Sequence, residues 1–217
     1  MKTKYQLMSW EELRPLALST ARQIRASGFT PDVVIALSRG GLVPARVICD
    51  FLVLKNLVSI KVEHWGITAH KDKQTRITHS IDMDLTGKNV LVIDDITDTG
   101  DSLLKVIEHV HGKGAKEIKT ATLLHILTSK YEPDFYGDEM EWAWVVFPWN
   151  FYEDMSHIIT QKLGNKLWTL IEFHTQLVGD GVHIGMSELR WMLTEMKATG
   201  QVTQKEKDNK VYWGSSR

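Results

Sequence analysis

Apolar residues come in short continuous runs, separated by stretches in which they recur every three or four positions. The run Asp32-Val33-Val34-Ile35-Ala36-Leu37, then Val58 to Glu63, Asn89-Val90-Leu91-Val92-Ile93-Asp94, Ile118 to Leu127 and Trp142 to Phe147 read as strands. Short apolar runs bounded by turn residues suit strands buried on both faces. Between them lie helical patterns: Ser9 to about Ser27, the stretch after Ser38-Arg39-Gly40-Gly41 to about Leu54, and Thr99 to His111. Ser9 and Glu12 have capping-box spacing, and Pro15 is expected to kink the first helix or shift its start. Strands alternating with helices predict an α/β fold, a parallel sheet flanked by helices.

Two regions depart from this rhythm. Trp65 to Ser80 is polar, carries Lys71, Lys73 and Arg76, and predicts a long loop without regular structure. Such a loop is either a functional lid or an exposed excursion. After Asn150 the texture turns helical, so the chain is expected to divide into a domain over residues 1–150 and a second over 151–217. Asp154 to Leu163 and Lys166 to Val178 are expected helices, the second with Leu167, Leu170, Ile171 and His174 on one face. Ser187 to Thr199 is a third, with Leu189, Met192, Leu193 and Met196 on one stripe and Gly200 as its stop. Gln201-Val202-Thr203 and Lys210 to Trp213 then flank a charged tip, giving a small winged-helix-like C-terminal domain.

Composition narrows the function. The 217 residues carry 26 Lys and Arg against 27 Asp and Glu, a formal charge of −1. That balance supplies no general field for nucleic acid or an anionic membrane. One cysteine, Cys49, excludes an intrachain disulfide. No run approaches the roughly 18 apolar residues of a membrane span. A cytoplasmic protein that binds neither DNA nor membrane is expected.

The chemistry concentrates in Val90 to Leu103. A buried strand ends in Asp94 and Asp95; the loop Ile96-Thr97-Asp98-Thr99-Gly100 follows and runs directly into a helix at Asp101-Ser102. Ligands bind at the carboxyl ends of strands in such sheets, and the first amides of a helix suit a phosphate. The same string also reads as a capped, solvated turn, although two adjacent acids repel and call for a compensating cation.

Val92 to Ser102 resembles the phosphoribosyl pyrophosphate (PRPP) signature of type I phosphoribosyltransferases, and Ile35 to Ala45 is similar to the pyrophosphate loop of that family. The likeness is nearest to the bacterial xanthine-guanine and archaeal purine enzymes, which share Ser38 to Pro44 and Phe147-Pro148-Trp149. The resemblance implies transfer of a phosphoribosyl group from PRPP to a purine base, of the 6-oxopurine kind, giving a nucleoside monophosphate and pyrophosphate in nucleotide salvage. It implies Mg²⁺ as cofactor and a homodimer. Thr97, Asp98, Thr99, Gly100, Asp101 and Ser102, with Asp95, would hold PRPP and its 5′-phosphate. Asp94 and Asp95 would serve the metal and ribose. Ser38, Arg39 and Gly40 would hold pyrophosphate, with a non-proline cis peptide near Ser38-Arg39. Asp98 would assist proton transfer at the purine, and Arg39 would stabilise the leaving group.

Trp144 and Val145 match the family's base-binding strand. The family's purine-contacting lysine does not align: Lys130 stands late, and His125 or Ile126 stands nearer the place. Asp101, where many relatives have glycine or lysine, is expected to turn from the phosphate and cap the helix. The Trp65–Ser80 segment matches the mobile hood of the family. The C-terminal region leaves an alternative, a transcription regulator that senses PRPP or a nucleotide. From Ser187 on, Arg190, Lys197, Lys205, Lys207, Lys210 and Arg217 only slightly outnumber Glu188, Glu195, Glu206 and Asp208. That surplus is small for phosphate neutralisation and favours a packing, dimerisation or lid role.

Overall fold

A computed structural model describes residues 3–65 and 74–216. In chain order the elements are β1 (Tyr5–Leu7), α1 (Trp10–Ala26), β2 (Val33–Ser38), α2 (Leu42–Leu52), β3 (Leu57–Trp65), β4 (Gln74–His79), β5 (Asn89–Ile93), β6 (Ile96–Thr97), α3 (Asp101–Gly112), β7 (Glu117–Ile126) and β8 (Phe135–Met140). Then come β9 (Trp144–Val146), α4 (Phe151–Leu163), α5 (Leu170–Gly179), α6 (Met186–Ala198), β10 (Val202–Lys207) and β11 (Lys210–Ser215). They form two compact units, one of Trp10–Trp142 and one of Met1–Ser9 with Ala143–Arg217. The expected boundary after Asn150 thus falls inside the second unit, which also takes the first nine residues of the chain.

In the Trp10–Trp142 unit, the sheet runs β4-β3-β2-β5-β7, and β8 pairs with β7. Every pairing in it is parallel except β3 with β4. β6 pairs with Leu124 and His125 of β7, while β8 pairs with the same two residues. A strand residue has two lateral sides, so β6 must continue on the side that β5 occupies lower down. The central strands are apolar throughout because both sheet faces are covered. Val33, Ile35, Leu37, Val90 and Val92 pack with Leu103, Val106 and Val110 of α3. The α1 helix runs through Pro15 without ending there. Leu13, Ala17, Ala21 and Ile24, buried on both sides of the proline, hold the helix together across the missing hydrogen bond.

The polar stretch is more regular than its composition predicts. Trp65 closes β3, and Gln74–His79 form β4, antiparallel to it, with Arg76 opposite Glu63. β4 is an edge strand with exposed Arg76, and an edge half-open to water needs little apolar patterning. Lys71 and Lys73, and with them half of the expected hood, lie outside the described residues. β1, β4, β6 and β8 are further strands that the apolar runs did not reveal; β1 and β6 span three and two residues.

The second unit has its own core, in which Met155, Ile159, Phe173, Leu177, Leu189, Met192, Leu193, Met196 and Trp213 are buried. Three helices and the β10–β11 hairpin follow one another, and Trp168 bridges Trp213 as a third strand position. This order is that of a winged helix. The α6 stripe is buried as its spacing predicts. In contrast, α5 starts at Leu170 and not at Lys166. A complete capping box between Thr169 and Glu172 sets that start. The face turned inward is Phe173 and Leu177, leaving Ile171 and Leu167 exposed. The hairpin turns on Asp208 and Asn209, with φ of 54° and 56°; two left-handed residues suit the twist of a two-residue hairpin. Among the described residues, no helix is long and apolar enough to cross a membrane.

Candidate active site

The residues from Asp94 to Leu103 line a cavity of about 320 Å³. It sits where β5 ends and α3 begins, the position at which a parallel sheet offers both a crevice and a helix N-terminus. The strand is tied to its neighbour on both sides of the two acids. Asp94 N–H donates to the Ala121 carbonyl at 3.1 Å, and the Asp95 carbonyl accepts from Leu123 and Leu124 at 3.0 and 3.1 Å. Asp95 N–H donates to Asp94 Oδ1 at 3.0 Å. Burial and then the adjacent Asp95 charge push the Asp94 carboxyl well above the usual carboxylate range, against the pull of the Asp95 and Gly41 N–H groups.

Beside these acids lies the Ser38–Gly41 turn. The Ser38–Arg39 peptide is cis. Ser38 Oγ donates to the Ile60 carbonyl at 3.1 Å, fixing the turn to the neighbouring strand. A Cβ on Gly40 would fall into the Asp95 carboxylate, and one on Gly41 would meet the carbonyls of Ile93 and Leu37 and the Asp94 Cα. Both glycines are therefore demanded by contact: this turn lies directly on the two acids. The structure thus brings Ser38–Gly41 and Asp94–Ser102, about 55 residues apart in the sequence, into one place.

Within the phosphate-loop candidate the side chains divide. Thr97 is buried, and its hydroxyl donates to Thr122 Oγ1 at 3.3 Å, so that donor is spent inside the protein. Asp98 and Thr99 are exposed. Thr99 Oγ1 donates to Asp101 Oδ2 at 3.1 Å and accepts from Asp101 N–H at 3.3 Å. The expected helix cap by Asp101 is not what forms. Gly100, at φ 85°, is the N-cap residue, and Asp101 bends back onto Thr99 because a first-turn carboxylate finds its nearest donor in that hydroxyl.

The residues expected at the base separate. His125 is buried at the end of β7, in register with Thr97, with its ring 5.2 Å from that of Tyr136. Its Nδ1 has no hydrogen-bond partner among the described residues. Lys130 is exposed, and it is its backbone N–H that meets the loop, donating to the Thr99 carbonyl at 3.3 Å. Trp144 and Val145 belong to the other unit, on β9, in register with Tyr5 and Gln6 of β1. There Trp144 stacks on His157 at 5.7 Å.

In the segment between β7 and β8 only Lys130 stands out in the sequence, and Ser129 and Tyr131 do not. Tyr131 packs its Cβ where a Gly100 side chain would be, and Ser129 Oγ lies beside it. The signal was available: Thr128-Ser129-Lys130-Tyr131-Glu132-Pro133-Asp134 is dense in turn formers and follows directly on a strand.

Comparison with known proteins agrees with this geometry. Residues 9–155 match the family model described as phosphoribosyl transferase domain. The hypoxanthine-guanine phosphoribosyltransferase of Schizosaccharomyces pombe is 24% identical over 187 residues, covering 69% of this chain and 90% of that protein. The xanthine-guanine phosphoribosyltransferase of Idiomarina loihiensis is 29% identical over 148 residues, covering 67% and 86%. Among solved structures, a purine phosphoribosyltransferase from Pyrococcus horikoshii superimposes with a TM-score of 0.60 at 35% identity, covering 69% of this chain and 94% of that one.

Proposed function

Because the chain belongs to the phosphoribosyl transferase domain family, we propose that it moves the 5-phosphoribosyl group of PRPP onto a purine base of the 6-oxo kind, releasing pyrophosphate and a nucleoside monophosphate. One observation carries the reading. The 94–103 cavity opens at a strand-to-helix junction, and the Ser38–Gly41 turn lies on its two acids. The purine preference rests on relatives named for hypoxanthine, guanine and xanthine transfer. That these relatives are named as enzymes favours catalysis over the regulator considered from the sequence.

In this reading the first turn of α3 and the Asp98–Ser102 loop receive the 5′-phosphate, since amides there lack intrahelical partners and the helix dipole favours an anion. Thr97 bonds inward and the Thr99 hydroxyl donates to Asp101, which leaves that role to backbone groups and Ser102. Arg39 holds pyrophosphate as it departs, offering a fork of donors to its oxygens. Asp98 exchanges the proton at the purine nitrogen, a contribution worth roughly 10² to 10⁴ in rate. His125 and Lys130, which share a unit with this loop, remain the candidates for recognising the base.

Asp94 and Asp95 are the pair that would hold Mg²⁺: burial first and the Asp95 charge second raise the Asp94 pKa, and a cation beside the pair would offset both. No group of three or more potential ligands forms among the described residues. Magnesium typically takes one or two carboxylates plus substrate phosphate oxygens, so PRPP itself would complete the shell. When bound, the ion would neutralise charge growing on the pyrophosphate. A homodimer, the usual state of this family, is part of the same reading.

The test is incubation with PRPP, Mg²⁺ and hypoxanthine, guanine, xanthine or adenine in turn, following nucleotide and pyrophosphate. Formation of both with a 6-oxopurine supports the proposal. Turnover with adenine alone overturns the 6-oxo assignment, and no product with any base overturns the reaction.

A further inference from the structure

The segment between β7 and β8 touches the candidate phosphate loop at three points and lines none of its cavity. Lys130 N–H donates to the Thr99 carbonyl at 3.3 Å. Tyr131 Cβ occupies the space beside Gly100, with Ser129 Oγ next to it. In a planar trans peptide the carbonyl and the following N–H point in opposite directions. Pinning the Thr99 carbonyl toward Lys130 therefore turns the Gly100 N–H away from this segment, which itself lines none of the cavity.

The segment is itself anchored. Tyr131 OH and Thr120 Oγ1, on β7, are 3.0 Å apart. The Asp134 carboxylate accepts from Thr120 N–H at 2.8 Å, from Thr120 Oγ1 at 2.9 Å and from Lys119 Nζ at 2.9 Å. Ser129 Oγ donates to the Tyr131 carbonyl at 3.0 Å and accepts its N–H at 3.3 Å. A side chain on the sheet thus fixes a loop that fixes a second loop. Gly100, at φ 85°, has no side chain of its own to hold that conformation, and contact from outside takes its place.

We infer that Tyr131 is a positioning residue for anion binding: latched to Thr120, it holds the 129–131 segment against Thr99 and Gly100 and so aims the Gly100 amide at the 5′-phosphate of the sugar. The inference rests on the phosphoribosyl reading of this loop, and it concerns a residue that touches no substrate.

The experiment compares wild type with Tyr131→Phe, Thr120→Val, the double variant and Tyr131→Ala. The first readout is calorimetric affinity for ribose 5-phosphate; the second is KM for PRPP against KM for the base. Tyr131→Phe should weaken ribose 5-phosphate binding and raise KM for PRPP about 3- to 5-fold, a scale set by the loss of one hydrogen bond; Thr120→Val, which also removes both bonds between Thr120 Oγ1 and Asp134, should weaken both at least as much. The double variant should lose no more than Thr120→Val alone, since the Tyr131–Thr120 bond is already gone in either single variant, and the KM for the base should stay within about twofold. Tyr131→Ala should lose about tenfold or more. Full affinity in Tyr131→Phe and Tyr131→Ala, whatever their melting temperatures, overturns the inference, as does an equal rise in both KM values. Failure of the underlying reading looks different: wild type itself would then bind no ribose 5-phosphate.

Discussion

Asp94 stands in conflict with its surroundings. Burial and the neighbouring Asp95 charge raise its pKa, so the folded protein disfavours the charged form that the proposed metal and ribose binding would need. The sign of the consequence is fixed. Below the ordinary carboxylate pKa, Asp94 is protonated in both folded and unfolded chains and costs nothing. As pH rises through its raised folded pKa, the unfolded chain ionises first and stability is lost. Asp94→Asn keeps an acceptor for the Asp95 N–H and removes the charge. It should raise the melting temperature at pH 7, with the advantage over wild type shrinking as pH falls toward 4, while turnover drops by at least about 10²-fold. Thermal scans from pH 4 to 8 beside PRPP-dependent assays check both. A variant less stable than wild type at pH 7 would show that Asp94 is held by compensating contacts.

The residue scale also shows how far chemistry could be read from letters. Two acids after a buried strand, then a Thr/Gly loop, mark the anion site because only a few residue types serve there. What each hydroxyl does was not legible. Thr97 turns inward to Thr122, a partner 25 residues away, and Asp101 bends to Thr99 where a helix cap was expected. Such choices depend on which donor lies nearest once the chain is folded.

At the scale of elements, the site is a meeting of two turns, each carried by its strand. Gly41 is where they press hardest, because a Cβ there meets backbone carbonyls of β2 and β5 that cannot move without breaking the sheet. Gly41→Ala should cost about 3 kcal/mol or more, in the range of severe core substitutions. Gly28→Ala is a useful contrast: its space is open but its φ is 75°, so only backbone strain of about 1–2 kcal/mol is expected. Denaturant unfolding of the two variants should rank them in that order, and the reverse order would mean the 38–41 turn yields. The elements legible beforehand were those with long apolar runs or a clean stripe, such as β2, β5, β7 and α6. Those missed were edge or very short strands, whose identity is a pairing partner and not a pattern. In α5 the stripe was read one flank off: Leu170 packs on the core as expected, but Phe173 and Leu177 complete the buried face while Leu167 and Ile171 are exposed, since periodicity alone does not say which of two apolar flanks faces the core.

For the whole molecule, the division into units does not follow chain order. β1 pairs in parallel with β9, and Tyr5 and Leu7 pack on the core of the second unit. The first nine residues thus complete a domain that otherwise begins at Ala143. Removing residues 1–8 should leave β9 without its partner strand and destabilise that unit. Limited proteolysis should then cut first within residues 143–217, while 10–142 keeps its resistance. Unchanged protection of the second unit would show that β1 adds nothing to it.

The parallel α/β sheet, the strand-to-helix turn after Asp95, the glycine turn at 38–41 and the three-helix-and-hairpin order of the C-terminal region follow from the amino-acid order alone. These are local patterns, written in residues whose chemistry or conformational freedom has few substitutes. Packing in three dimensions had to settle that β1 pairs with β9, that Gly40 lies against Asp95, and that Tyr131 lies against Gly100. Each of those depends on contacts between residues distant in the chain, which packing selects and no local pattern encodes.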